Sequence, residues 1–477
     1  MARINQHNRG DPTSPQLASG TLLLRDSVIM GIAGVAPAYT IAASTAALTA
    51  AVGLGAPASL LYCGIAMFGI VWAFHYLGKN ETSAGASYTW VRNSLHPLLG
   101  YLAGWSMIVS ATIFMVAGTI PAGSLAVGLI SPQLANNVTV VGTVGITAFI
   151  LIIIAVAAGI TMTAKVQIVL TSTELFLLVI FAILMAVHGH GVHSFSWSWL
   201  SPTIFHGPSG FFAGALVAAF YYWGWDVAAN LGEETSNPKS NPGIGALIGV
   251  AVAFAIFEVF TIGSNMLLTS HQMQSNAADV LGVLGQQVWP GIGGKVIVIA
   301  VVLSTVATLE TSIVQVTRTL YAMGRDGSLS NSLSRIHPNS RTPRTATVLV
   351  GIVPLLLFFG AMFIGSVSAI LTDAINAVGL QIAVYYSLAG FAVVFSYRRS
   401  LFHSAKLFFL AGLWPLAGAI FMVAMFAVTL PNLNPTTQIV GIGALAAGLI
   451  PAAFYWQRQI LRSSGPTMES DGITELQ

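Results

Sequence analysis

Charge is what this chain has least of. Asp, Glu, Lys and Arg make up 7% of its 477 residues, against roughly 25% in soluble domains. That excludes an ordinary water-soluble globule. A single cysteine, Cys63, excludes an intrachain disulfide and a cysteine metal cluster. The spacings of common catalytic sites are missing as well: no Walker A phosphate loop, no His-x-x-x-His and no Gly-x-Ser-x-Gly. A primary pump and a membrane-embedded enzyme therefore find no support, and without a soluble signalling domain neither does a receptor. No cofactor and no metal are expected. The sequence pI is near 9.0, but the basic residues are spread along the chain rather than gathered in a patch, so nucleic acid is not an expected partner.

Hydrocarbon is abundant. Apolar residues make up 55% of the chain and the mean hydropathy is +0.80. A membrane helix needs about 20 apolar residues. Twelve runs qualify, at about 28–49, 57–77, 98–127, 138–159, 166–188, 211–230, 244–268, 294–320, 345–365, 369–395, 407–430 and 437–456. The fold class expected is an all-α polytopic membrane protein with twelve transmembrane helices. The 48 glycines suit close helix–helix approach in lipid. With the N-terminus inside, 17 of the 18 Lys and Arg fall in cytoplasmic segments and only Lys295 lies outside. This distribution predicts a multi-pass protein of the cell inner (plasma) membrane with both termini cytoplasmic. The start, MARINQHNRGDPTSP, has no hydrophobic core and is not a cleavable signal. Residues 1–22 and, within the cytoplasmic tail 461–477, the stretch from Ser463 are expected to be disordered.

Two of the runs are interrupted. FFAGALVAAFYYWGWDVAAN breaks at Phe220, Tyr221, Tyr222, Trp223 and Gly224, then meets Trp225 and Asp226. SVIMGIAGVAPAYTIAAS carries Gly31, Gly34 and Pro37 within seven residues, which weakens a helix. An aromatic belt in the first case and a plain kink in the second are the bland alternatives. Unwound backbone at membrane depth is tolerated only where protein or water satisfies it. Interruptions at matching places in two halves of a chain point to a substrate site. Ala33, Gly34, Val35, Ala36 and Pro37, together with Phe220–Gly224, are the candidate binding residues.

Several stretches together resemble the amino acid–polyamine–organocation superfamily of secondary transporters. They are Phe220, Gly224, Asp226, Glu233-Glu234, Asn237-Pro238 and Pro242; Ala84-Gly85-Ala86-x-Tyr88; Gly100 and Gly104-Trp105; and Thr317 through Gly327 with His337-Pro338 and Thr342-Pro343. The likeness covers roughly residues 22–400. It departs from the family where a proline is usual near Thr82 and at Leu329-Ser330. The resemblance implies a five-plus-five inverted repeat with broken helices 1 and 6: residues 23–190, then 205–400, with two further helices in 405–460. It also implies alternating access, with the residue matching Phe220 closing over the solute. A channel seldom needs two broken helices around one closed site.

Three acids sit deep in apolar runs without a basic partner at comparable depth: Glu174, Glu258 and Glu310. Such groups are expensive in a bilayer unless paired, protonated or hydrated. Where many members of the resembled family carry a lysine, this chain has Glu174. Glu174 and Glu258 are the candidate coupling groups, and Glu310 is placed with the substrate site. A protonated acid bonded to a neighbouring helix is the alternative for each. The solute expected is an amino acid or related amine, with a di- or polyamine as the alternative. Protons are the expected coupling ion and sodium the rival; symport, uniport and exchange remain open. The lipid bilayer is the expected surrounding, and the protein is a monomer or homodimer. Asp373 either lines a vestibule or caps a helix.

Overall fold

The computed structural model describes residues 16–131, 133–188, 191–361 and 367–454. In chain order its helices are α1 (Leu24–Val35), α2 (Pro37–Val52), α3 (Ala56–Asn80), α4 (Ser87–Ser94), α5 (Pro97–Ile130), α6 (Val138–Ala158), α7 (Ile160–His188), α8 (Gly207–Tyr221), α9 (Val227–Asn230), α10 (Asn241–Leu267), α11 (Ser270–Ser275), α12 (Val280–Val288), α13 (Gly293–Arg325), α14 (Arg344–Ala361), α15 (Val367–Tyr397), α16 (Ala405–Leu407), α17 (Trp414–Thr429), α18 (Pro435–Gln438) and α19 (Ala444–Ala447). Among the described residues there is no strand, only isolated bridges such as Leu22 with Thr235.

Among the described residues nine helical stretches are long and apolar enough to cross a membrane, the first running from Leu24 to Asn80 and so holding two of the expected runs. Two more runs appear as shorter apolar helices, Gly207–Tyr221 and Arg344–Gly360. The expected run 211–230 is not one helix: α8 stops at Tyr221 and only the four residues of α9 resume it. Residues 362–365 of the run 345–365 and the residues from 455 on lie outside the described residues.

α13 is the central post. From Ala307 to Gly324 every one of its residues is buried, and it packs against α5, α7, α12 and the α1–α2 pair. Small residues bring the other helices close. Gly245 of α10 lies against Ser27, and Gly249 against the backbone of Gly31, so α1 and α10 approach with little side chain between them. α6 and α7 show the opposite surface. Leu151, Ile154, Val169, Phe176, Val179 and Ile183 are exposed, a hydrocarbon face that a soluble protein would not carry.

The N-terminal segment departs from the sequence expectation. Residues 1–15 lie outside the described residues, but 16–22, expected to be disordered with them, are packed. The Thr21 and Leu22 N–H groups donate to the Glu234 carbonyl at 2.9 and 3.1 Å, and Ser236 N–H donates back to the Leu22 carbonyl at 2.7 Å. Leu17 is buried against Ala84 and Tyr321. Polar composition alone misses this, because the partners lie more than 60 residues away. Asp373 proves to be a tie between helices: its Oδ1 accepts from Asn434 and Thr437, both at 2.8 Å.

Candidate functional site

The break between α1 and α2 falls on Ala36, held at φ 51°, ψ 67°. A left-handed alanine is costly, by roughly 1–2 kcal/mol, so its surroundings must hold it. Pro37 then starts α2, where a missing N–H is no loss. The remaining orphan donors of the first turn find side chains from distant helices. Ala38 N–H donates to Glu174 Oε1 at 2.9 Å, and Tyr39 N–H to Ser304 Oγ at 3.2 Å. Ser304 itself donates to the same Glu174 oxygen at 2.7 Å. Glu174 of α7 is thus a cap supplied from another helix, and the N-terminal end of a helix favours a carboxylate. The freed carbonyls are also met: Thr40 Oγ1 donates to Val35 O at 2.8 Å and Thr308 Oγ1 to Gly34 O at 3.0 Å.

The second break follows the same accounting. Tyr222 closes α8, Gly224 takes φ +99°, and Val227 N–H donates to the Gly224 carbonyl at 3.2 Å. Asp226 is buried and held from two helices, accepting from Gln315 at 2.7 Å and Tyr386 at 3.0 Å. The two interruptions meet. A Cβ on Gly34 would overlap the Gly224 carbonyl, and a Cβ on Gly224 would overlap the Gly34 carbonyl. Backbone touches backbone at that point.

Aromatic rings cover the junction. Phe220 lies 6.3 Å from both Phe114 and Trp223, ring centre to ring centre, and Tyr39 lies edge-on to Phe114 at 5.6 Å. All four are buried. The Tyr39 hydroxyl has no partner among the described residues, and the Trp223 indole N–H lies within hydrogen-bonding reach of Tyr385. Tyr221 and Tyr222 point elsewhere, to Thr45 at 2.9 Å and the Leu60 carbonyl at 3.1 Å, and tie α8 to its neighbours.

A cavity of about 360 Å³ opens at the end of the bundle that holds α11, between Ala46 of α2, Val217 of α8, Gln274 of α11 and Asn376 of α15. Its lining reaches Leu216 and Val217, one turn short of Phe220, and includes no residue of either break. The opposite end is tied shut. Arg318 and Glu234, both fully buried, form a double ion pair at 3.0 Å; Arg325 pairs with Glu233 at 3.0 Å and Arg92 with Asp326 at 3.2 Å.

The structure brings Ala33–Pro37, Phe220, Trp223, Gly224 and Glu174 together. Glu310 is buried on α13 and accepts from Gln167 of α7 at 2.7 Å, with no hydrogen bond to a break residue. Glu258 lies apart on α10, near the Tyr222 phenol, and neither of its oxygens has a partner among the described residues. Among the described residues no three His, Cys, Asp or Glu side chains are grouped to hold a metal. Sequence reasoning missed Tyr39, Phe114 and Ser304. The only available signal was the spacing of Ser304, Thr308 and Thr311 on one face of α13.

The model of a family described as amino acid permease matches residues 24–454. The chain is 31% identical over 159 residues to a methylthioribose transporter of Bacillus subtilis, covering 32% of this chain and 33% of that protein. It is 30% identical over 156 residues to a branched-chain amino acid permease of the same species, covering 32% of each. The chain thus spans about a third of the length of these two relatives. A low-affinity putrescine importer of Escherichia coli is 24% identical over 468 residues, 93% of this chain and 95% of the importer.

Proposed function

The chain belongs to the amino acid permease family, a family of transporters and not enzymes, and from that premise we propose that it is a proton-coupled secondary transporter of an amino acid or related amine-bearing solute. The reading includes twelve crossings of the plasma membrane in a five-plus-five inverted repeat, both termini cytoplasmic, working by alternating access. The observation that carries it is the meeting of two helix interruptions at Gly34 and Gly224, under Phe220 and beside an acid. A small solute entering from the 360 Å³ cavity reaches this junction by displacing Phe220. Its ammonium would meet carbonyls at the end of α1, each with a second lone pair to offer, whereas a carboxylate would reach the N–H end of α2 only by displacing Glu174 or Ser304. Glu174 is the coupling group in this reading. Protonated, it is neutral in a closed core; ionised, it attracts a cation.

A di- or polyamine is the second reading, favoured by the near full-length likeness to a putrescine importer and by three acids with no basic partner at their depth. The test is uptake into reconstituted vesicles, with amino acids, putrescine and pyruvate competing under imposed proton and sodium gradients. Accumulation of an amine driven by protons without sodium is expected. Strict sodium dependence would replace the coupling ion, and pyruvate as the best substrate would overturn the reading.

A further inference from the structure

One face of α7 is polar for half its length and apolar for the rest. Thr163, Gln167, Thr171 and Glu174 recur at helical spacing, within less than a quarter turn of one another around the axis, and all four are fully buried. The same face continues through Leu178 and Phe181, where no polar group remains. The polar half starts one turn from Gly159, whose backbone lies against Ser340 at the tied end of the bundle, and stops at the helix break. α13 answers it in antiparallel register: Ser304 bonds Glu174, while Glu310 and the Ala307 carbonyl accept from Gln167 at 2.7 and 2.8 Å.

Three oxygens along this seam have no partner among the described residues, Gln167 Oε1, Thr171 Oγ1 and Glu174 Oε2, and at the end nearer Gly159 Thr163 lies within hydrogen-bonding reach of Glu310. Each buried orphan costs about 1–3 kcal/mol, and well-packed proteins keep such groups few. A row of them between two acids makes sense where small hydrogen-bonding species pass. We propose that this seam is a proton relay linking Glu174 at the α1–α2 break to Glu310 and onward to the tied end of the bundle.

The inference rests on the proton-coupled reading and adds a route and a second proton-carrying acid. Seven residues separate Gln167 from Glu174, about 10 Å of helical rise, too far for a direct transfer. Thr171 stands between them. In each transfer one carboxyl gives up its proton, every hydroxyl or water on the way accepts one and releases one, and the other carboxylate takes it. Charge balances with water as the only co-reactant.

Other ionisable groups on the helices packed around the seam are engaged, remote or, like the Tyr39 phenol of α2, turned toward the Phe114 ring. Lys165 is exposed on another face of α7 and Glu258 of α10 lies by Tyr222. Asp226, beside α9, is held by Gln315 and Tyr386; Asp26 of α1 accepts from Leu23 N–H at 2.7 Å; Asp279, before α12, accepts from Gly282 N–H at 2.9 Å. Arg318 and Arg325 of α13 are paired with Glu234 and Glu233, Lys295 is at its far end, and Arg344 and Tyr101 lie near the starts of α14 and α5. α6 has no ionisable residue.

The experiment uses vesicles containing the full chain, a pH-sensitive dye inside, and whichever of putrescine, leucine, serine and lysine the wild type accumulates best. Gln167→Leu and Thr171→Val interrupt the row and leave both acids in the chain; the first also removes a hydrogen bond from Glu310, the second from neither acid. Solute-driven proton flux is expected to fall at least tenfold in each, while exchange of labelled for unlabelled solute, which needs no net proton movement, stays within about twofold. Gln167→His, which keeps a proton-accepting group, should recover most of the flux. Wild-type flux in both interrupting variants would overturn the relay and leave proton coupling standing. Equal loss of flux and exchange in both would also overturn it, marking the seam as packing. A wild type that moves no protons with its solute would remove the coupling reading and the relay together.

Discussion

At the scale of single residues, the junction is set by two glycines that have no room to change. Gly224 has φ +99° and would drive a Cβ into the Gly34 backbone. Gly207 has φ +74° but nothing within 4 Å of a Cβ. Gly224→Ala is therefore expected to cut uptake more than tenfold, because backbone cannot step aside as a side chain can. Gly207→Ala should cost only the left-handed strain of about 1–2 kcal/mol, seen as a modest fall in melting temperature with uptake retained. The arginines make a second contrast. Arg318→Met leaves Glu234 buried and unpaired, an expected loss of about 3–5 kcal/mol. Arg325, partly exposed in its pair with Glu233, should lose about 1 kcal/mol or less on the same change. Thermal unfolding in one detergent compares all four. Equal losses for the two arginines would mean that burial does not govern these pairs.

At the scale of elements, α2 depends on a cap it does not carry. Glu174→Gln keeps an oxygen to accept from Ala38 and Ser304, so the fold should hold while proton-driven accumulation is lost and solute exchange persists. Glu174→Leu strands both donors and is expected to cost about 1–3 kcal/mol as well. A Gln variant that concentrates solute with wild-type pH dependence would take Glu174 out of the coupling. The loop helix α12 has its own cap in Asp279, which accepts from Gly282. Burial pushes this carboxyl up to about 7, from an ordinary value near 3.8. An acid raised in this way binds protons more tightly folded than unfolded, so its cost to stability sets in as pH climbs from about 4 and is complete above about 7. Asp279→Asn should therefore raise the melting temperature at pH 8 and leave it nearly unchanged near pH 3, below both values. Legibility divides along the same line. Gly34, Pro37 and Gly224 were readable as breakers, because glycine and proline act through their own backbone. Ala36, the residue that takes the left-handed turn, carries no such mark and is held by its neighbours. Glu174 was readable as an acid among leucines and valines. Its partner was not, since Ala38 lies 136 residues away and only packing brings the two together. The packed segment 16–22 was hidden for the same reason.

At the scale of the whole molecule, one end is pinned by ion pairs, with a cleft of about 990 Å³ over Glu233 and Arg325, and the cavity beside α8 and α11 opens at the other. The pinned end joins the stretch after α9 to α13 through Glu234–Arg318 and Glu233–Arg325, to the segment before α4 through Ala84 N–H on Glu233 at 2.8 Å, and to the N-terminal segment through the Glu234 carbonyl. Opening this end requires these contacts to part as a group. Their strengths differ, because the Glu234 pair is sealed from solvent and the Glu233 pair is not. Removing the weaker one should bias the two-state balance without unfolding the bundle. The reporter follows from the composition: Cys63, the single cysteine, is buried, so Cys63→Ala gives a silent background for Ala84→Cys, at a fully buried position beneath Leu17. Adding Arg325→Gln to that background is expected to raise the labelling rate by a membrane-impermeant thiol reagent about tenfold, a shift of about 1.4 kcal/mol. Transported solute should raise it too if the same parting accompanies transport. Labelling unchanged by Arg325→Gln would mean that the Glu233 pair does not hold this end closed, leaving the task to the buried Arg318–Glu234 pair and the strap of residues 16–22.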